Sequence, residues 1–194
     1  MYKKSNIDPL QIIFYLIITF AGNWISYLIS MFVGMYVKKL DVIPSDIRLF
    51  VMLFLVMLPI SLAVSLGIIF IYLKNKVPSH YKPDEDKSFM LKNLLLLIAP
   101  GEILRFIIYF LSVGDITKTG VFALPASILF EGTYQNWTNR SALITKNQFI
   151  FADFAACFVC YAIYFAIYFT CIYFMYKHFW NVGKRERDDL IVHK

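Results

Sequence analysis

Glu102 and Arg105 stand three positions apart inside an apolar run, Phe89–Val113, that is long enough to cross a bilayer. Opposite charges at that spacing share one face of a helix and can pair. An ionised group at the centre of a bilayer costs about 3 kcal/mol or more, so both side chains must face protein, water or each other. Such a group marks a binding or relay site by default, although a satisfied pair also serves as a fixed strut. The planar donors of Arg105 suit carboxylate or phosphate, and a small molecule or ion is the expected ligand. Asp153, one turn into the last apolar segment, either completes the cluster or lines its entrance. At about 100° per residue, Tyr164 and Tyr168 fall on one stripe with Asp153, Cys157, Cys160 and Cys171. The expected binding set is therefore Glu102, Arg105, Asp153, Tyr164 and Tyr168.

A second chemistry is carried by Cys157-Phe158-Val159-Cys160. Two thiols one helical turn apart could exchange disulfides through a thiolate and pass electrons to a membrane quinone. Against this, Cys171 is the sole further cysteine, so no second pair exists to relay from, and small buried cysteines are ordinary core residues. His80, His178 and His193 are too far apart in sequence to form a zinc set with the thiols. The acidic run Asp84-Glu85-Asp86 lacks the alternating spacing and closing Glu of a calcium loop. No nucleophile elbow, phosphate-cradling glycine loop or HExxH motif occurs. No catalytic residue, cofactor or metal is expected.

The elements that must position these residues follow from composition. Of the 194 residues, 59% are hydrophobic and 16% charged, against about 45–50% and about 25% in soluble domains. Four stretches reach spanning length: residues 10–37, 47–73, 89–113 and 149–176. The expected fold is an all-α, multi-pass membrane bundle of four transmembrane helices forming one domain over 1–194, with no room for a separate soluble core. The formal charge of +6 forms no basic stripe and does not point to nucleic acid. With four spans, the termini and second loop carry Lys3, Lys4, Lys74, Lys76, Lys82, Lys87, Lys92, Lys177, Lys184, Arg185, Arg187 and Lys194. The other side carries Lys38, Lys39, Arg48, Lys118, Arg140 and Lys146. That imbalance predicts cytoplasmic N- and C-termini by the positive-inside rule. The first apolar stretch is too long for a cleaved signal, whose apolar core spans about 7–15 residues, and reads as a retained anchor.

Finer features shape the bundle. Gly22, Ser26, Ser30 and Gly34, with Thr19 and Asn23 alongside, form a small-residue seam for close helix packing within the bundle. Pro59 predicts a kink in the second span, and Pro100-Gly101 weakens the third beside the two charges. Between the third and fourth spans, Val121–Phe130 is apolar but too short to cross, so it reads as a re-entrant or interfacial element. Ala152, Ala155, Ala162, Ala166 and Thr170 make a small-residue face on the fourth span. Trp24, Trp137, Trp180 and tyrosines near helix ends suit an interfacial belt. Asn136 and Asn139 begin formal glycosylation sequons that carry no meaning in a bacterium, and the bias of Lys over Arg with many Phe and Ile is read as an AT-rich, bacterial genome.

The functional expectation is a small transporter or channel subunit, or membrane partner, in the cell membrane. Four spans seldom enclose a path alone, so a homo-oligomer or larger membrane complex in the lipid bilayer is expected. A membrane thiol/quinone redox enzyme is the competing class, and a purely structural subunit the third.

Overall fold

The computed structural model describes residues 7–39, 51–81, 87–112, 125–130 and 146–192, with the side chains at 37–38, 146–153 and 190–192 outside that description. The acidic run Asp84–Asp86, the sequons at Asn136 and Asn139, Trp137 and the side chain of Asp153 therefore lie outside the described residues. Every regular element within them is helical. Helix α1 covers Pro9–Lys38; a π-helical segment, Val51–Met57, runs into α2, Leu58–Lys76; a 3-10 turn, Val77–His80, leads towards α3, Lys87–Leu111; and α4 covers Lys146–Val192. Among the described residues, four helices are long and apolar enough to cross a membrane, which by length and composition fits a multi-pass membrane protein.

Helix α1 starts where its sequence says it should. The Asp8 carboxylate accepts from the Leu10 amide at 3.1 Å, and the Gln11 side chain accepts from the Asp8 amide at 3.2 Å. This reciprocal capping satisfies donors that a helix start leaves orphaned, with Pro9 at the first helical position, where its missing N–H costs nothing.

Each helix has two principal neighbours, which gives the cyclic order α1–α2–α4–α3. The small-residue seam of α1 faces α2, as its spacing predicts. A Cβ on Gly22 would meet Ile68 at 3.6 Å, and one on Gly34 would meet the Met57 sulfur at 3.4 Å. The hydroxyl of Ser26 donates to the Ser61 carbonyl at 3.0 Å and lies 3.0 Å from the Ser65 hydroxyl, which in turn donates to Asn23 Oδ1 at 3.2 Å. Hydrogen bonds between helices in lipid average about 0.6 kcal/mol and reach about 1.7. Ser26→Ala should therefore lower unfolding free energy within that range, measured by steric trapping or mild SDS titration. Ser30 on the same seam is buried with its hydroxyl unpartnered, so Ser30→Ala should change the same readout by much less.

At Pro59 the predicted disturbance of the second span includes a widened turn. The π-helical segment Val51–Met57 directly precedes it, and its wider turn removes the ring's clash with the carbonyl four residues back. Pro100 lies inside an unbroken α3. The proline is on the exposed side while Gly101 is buried, and a Cβ on Gly101 would meet nothing within 4 Å, so that glycine is not a point of close packing.

Of the short loop element, residues 125–130 are helical, with Ala126 and Ile128 buried. The Tyr109 hydroxyl donates to the Ala126 carbonyl at 3.3 Å, and Ile128 packs with Leu53. Helix α4 has 47 residues, about 70 Å at 1.5 Å per residue, more than twice the roughly 30 Å hydrocarbon core. Its far end is held by an aromatic group. Trp180 lies edge-on to Tyr81 at 5.4 Å and near Phe89 at 6.3 Å, and Phe70 meets Phe179 at 5.1 Å. Two expectations about tryptophan change accordingly. Trp180 is a buried packing residue, 5% exposed, and Trp24 stands in the middle of α1 rather than near an end, so neither position is that of an interfacial belt.

Candidate functional site

The inward face of α4 is set by its periodicity. Cys157, Cys160, Tyr161, Tyr164, Tyr168, Ile172 and Tyr176 are all buried, spaced as one helical stripe, whereas Phe158, Val159, Ile163 and Ile167 face outward. Opposite this stripe α3 presents Glu102 and Arg105, with Ile103, Leu104 and Ile107 exposed to the surroundings.

Arg105 is 0% and Glu102 5% exposed. Their pairing is direct: Arg105 Nη1 donates to Glu102 Oε1 at 3.1 Å and to the Tyr164 hydroxyl at 2.7 Å. The Tyr161 hydroxyl lies 3.0 Å from the Glu102 carbonyl and 3.2 Å from Glu102 Oε2, donating between them. The guanidinium carbon stands 5.6 Å from the Phe20 ring centre and 5.5 Å from that of Tyr168, within the range of cation–π attraction. Thus α1, α3 and α4 all contribute to the setting of one charge.

That setting is incompletely satisfied. A guanidinium carries five N–H donors. Nε and Nη2 of Arg105 have no hydrogen-bond partner, and neither do the buried hydroxyls of Tyr15 and Tyr168. These groups are neighbours, and the Tyr168 hydroxyl approaches both the Arg105 guanidinium and Tyr15 without reaching ideal hydrogen-bond geometry. Buried donors of this kind are uncommon, and here they belong to one cluster with the ion pair.

On the outer side, a groove of about 350 Å³ runs between α3 and α4, lined by Ala99, Glu102, Ile103, Phe106, Phe158, Tyr161, Ala162 and Phe165. Arg105 is not among its lining residues, so the pair separates two different surroundings: an apolar groove at Glu102 and a tyrosine-lined interior at Arg105.

Of the expected site residues, Glu102, Arg105, Tyr164 and Tyr168 come together, and Asp153 belongs to the backbone of α4 with its side chain outside the described residues. Cys157 and Cys160 are thiols buried on the inward face and not joined in a disulfide, and Cys171 is partly buried. Tyr161, Tyr15 and Phe20 were not in the expected set. Tyr161 was detectable, since it lies three residues before Tyr164 on the same face. Tyr15 was detectable too, four residues before Thr19 on the seam of α1, whereas Phe20 carries no such signal, because only the docking of α1 brings it to Arg105.

A second polar contact was also missed. His80 is 1% exposed, and its Nδ1 lies 3.0 Å from the Tyr176 hydroxyl, because the 3-10 turn packs against α4. Among the described residues, no three His, Cys, Asp or Glu side chains gather as a metal site would require. No protein-family model, curated protein or solved structure matches this chain.

Proposed function

We propose that this chain is a non-enzymatic membrane subunit, a small carrier or channel component, whose interior binds a polar group of a small molecule at Arg105. One observation carries the reading: a wholly buried guanidinium that has three N–H groups beyond its bonds to Glu102 and Tyr164 and no well-formed hydrogen bond for them, beside the hydroxyls of Tyr15 and Tyr168. A strut alone requires the Glu102–Arg105 bond, not three further N–H groups left over. Glu102 already offsets the charge of Arg105, so the group best suited to those donors is an uncharged acceptor such as a carbonyl oxygen. An extra charge would be uncompensated at low dielectric.

The same reading puts both termini on the cytoplasmic side of a bacterial cell membrane, by the distribution of Lys and Arg. It takes residues 125–130 as part of an element lying at or dipping into the outer face. An oligomer or larger membrane complex would complete any transport path.

Propionamide, propionate and propylammonium, titrated against the purified protein in detergent, test the binding step. Propionamide should raise the Tm of the wild-type chain, propylammonium should not, and the rise should vanish in the double variant E102Q/R105Q. At a hundredfold excess over Kd such a ligand stabilises by about 2.7 kcal/mol. Equal shifts in the wild-type and double-variant proteins, or none in either, would remove the proposal.

A further inference from the structure

We propose that the site takes a short monocarboxylic acid in two parts, its proton on Glu102 and its carboxylate on Arg105. The proposal rests on the reading of Arg105 as the ligand site and adds the ligand's class and its coupling to a proton.

The hydroxyl of Tyr161 is the first reason. It has one proton to donate and two acceptors within reach, the Glu102 carbonyl at 3.0 Å and Glu102 Oε2 at 3.2 Å. With Glu102 ionised, that single proton is shared between them. A proton on Oε2 completes the set, since Oε2 then donates to the Tyr161 oxygen while the Tyr161 hydroxyl donates to the carbonyl. Oε1 still accepts from Arg105 Nη1 at 3.1 Å. Glu102 therefore takes up a proton without losing a partner.

Charge sets what must come with the proton. Arg105 is 0% and Glu102 5% exposed, so protonating Glu102 alone would leave a buried guanidinium uncompensated. One negative charge has to arrive at the same time. A monocarboxylic acid supplies both: its O–H bond breaks, the electron pair stays on the carboxylate, an O–H bond forms at Oε2, and the net charge of the site stays zero. A dianion would leave the site negative, and an ammonium would add a second positive charge.

The remaining edge of Arg105 fits that anion. Nη1 serves Glu102 and Tyr164. The planar guanidinium sets Nε–H and one Nη2–H side by side, a fork that holds both oxygens of a carboxylate, and these are the two nitrogens without a well-formed hydrogen bond. The rings of Phe20 and Tyr168 stand 5.6 and 5.5 Å from the guanidinium carbon, and Tyr15, Tyr164 and Tyr168 are all buried, so the acid is short. Among the described residues, the charged and titratable groups around Glu102 are Arg105 on its own helix, Tyr161, Tyr164 and Tyr168 on α4 and Tyr15 on α1. Near neutral pH phenols are uncharged and a guanidinium stays charged, which leaves Glu102 to carry the proton.

Isothermal titration calorimetry of the full chain in detergent, with propionate in buffers of different ionisation enthalpy, counts the protons taken up per anion bound. One proton should enter with each propionate ion, and the Kd should rise about tenfold per pH unit between about pH 6 and about pH 8, the slope of one linked proton. Propionamide, which needs no proton, should show no such slope. Glu102→Gln stands in for the protonated carboxyl, so at about pH 8 it should bind propionate at least tenfold tighter than wild type, with no proton taken up. If that variant does not fold, the wild-type proton count decides alone. Propionate bound without a proton, or not bound where propionamide is, would overturn the proton exchange and leave Arg105 as the site of an uncharged acceptor. Proton uptake that persists in E102Q would also overturn it, by placing the proton elsewhere. Failure of both propionate and propionamide to bind would overturn the reading of Arg105 as a ligand site together with the exchange.

Discussion

Arg105→Gln is expected to destabilise the protein by about 3–5 kcal/mol, the cost of leaving a buried partner charge uncompensated. Glu102 would lose the 3.1 Å bond to Nη1 and keep only the Tyr161 hydroxyl, while Tyr164 would lose its 2.7 Å donor. Glu102→Gln should fall in the same range, since it strands a guanidinium that is 0% exposed. The double variant E102Q/R105Q removes both charges at once, and replacing a buried pair by uncharged groups is often close to neutral. It should therefore recover most of the stability lost by either single change. Unfolding free energies of the four proteins, measured by steric trapping in bicelles, form a double-mutant cycle whose coupling should exceed about 2 kcal/mol. Additive single effects would mean that the two side chains do not share one enclosed site. Recovery of folding without recovery of ligand-induced stabilisation identifies the pair as more than a strut. Recovery of both makes it structural only.

Gly183→Ala should be the most damaging change outside the charged cluster. A Cβ at this position would stand 2.6 Å from the Pro78 carbonyl oxygen and 2.8 Å from its Cα. Both obstacles are backbone, so relief requires the 3-10 turn Val77–His80 to separate from α4. Overpacking of this kind costs about 1–3 kcal/mol, and the top of that range applies because no flexible side chain can yield. The separation would also break the 3.0 Å contact of His80 with Tyr176 and the edge-on packing of Tyr81 against Trp180. A lower Tm together with a red shift and loss of intensity in Trp180 fluorescence, recorded in a background where Trp24 and Trp137 are phenylalanine, is the expected result. An unchanged Tm would show that the helix and the turn do not approach as closely as the backbone distances require.

The parts of this molecule that could be read from sequence are those set by local periodicity and by the solvent. Four apolar runs become four helices because lipid forces the backbone to satisfy itself within each segment. The seam of Gly22, Ser26, Ser30 and Gly34 identifies the packed side of α1 because small residues four apart align along one face. The stripe on α4 is likewise periodic, so Tyr164 and Tyr168 could be placed beside each other before their partner was known. What escaped prediction depends on which helices become neighbours. Phe20 comes within 5.6 Å of Arg105 from across the bundle, and nothing in α1 distinguishes it from residues that face lipid. The continuation of α4 to Val192 was hidden by its charged end, where composition suggests a tail. Yet Lys, Arg and Glu are good helix formers, and Gly183 is kept within the helix by its close fit to Pro78. Likewise, Pro59 foretold a disturbed helix but not its form, since the choice between a kink and a widened turn belongs to the preceding residues.

Solid-state NMR on the protein in hydrated bilayers, with carbon-13 and nitrogen-15 in arginine, glutamate and tyrosine, examines the enclosure of the charged pair directly. Short-mixing correlations should connect the guanidinium of Arg105 with the Glu102 carboxylate and the Tyr164 ring carbon bearing the hydroxyl, while magnetisation from lipid acyl protons reaches the guanidinium only at long mixing times. Early transfer from acyl chains to Arg105, with no correlation to Glu102, is incompatible with a pair enclosed by α1, α3 and α4.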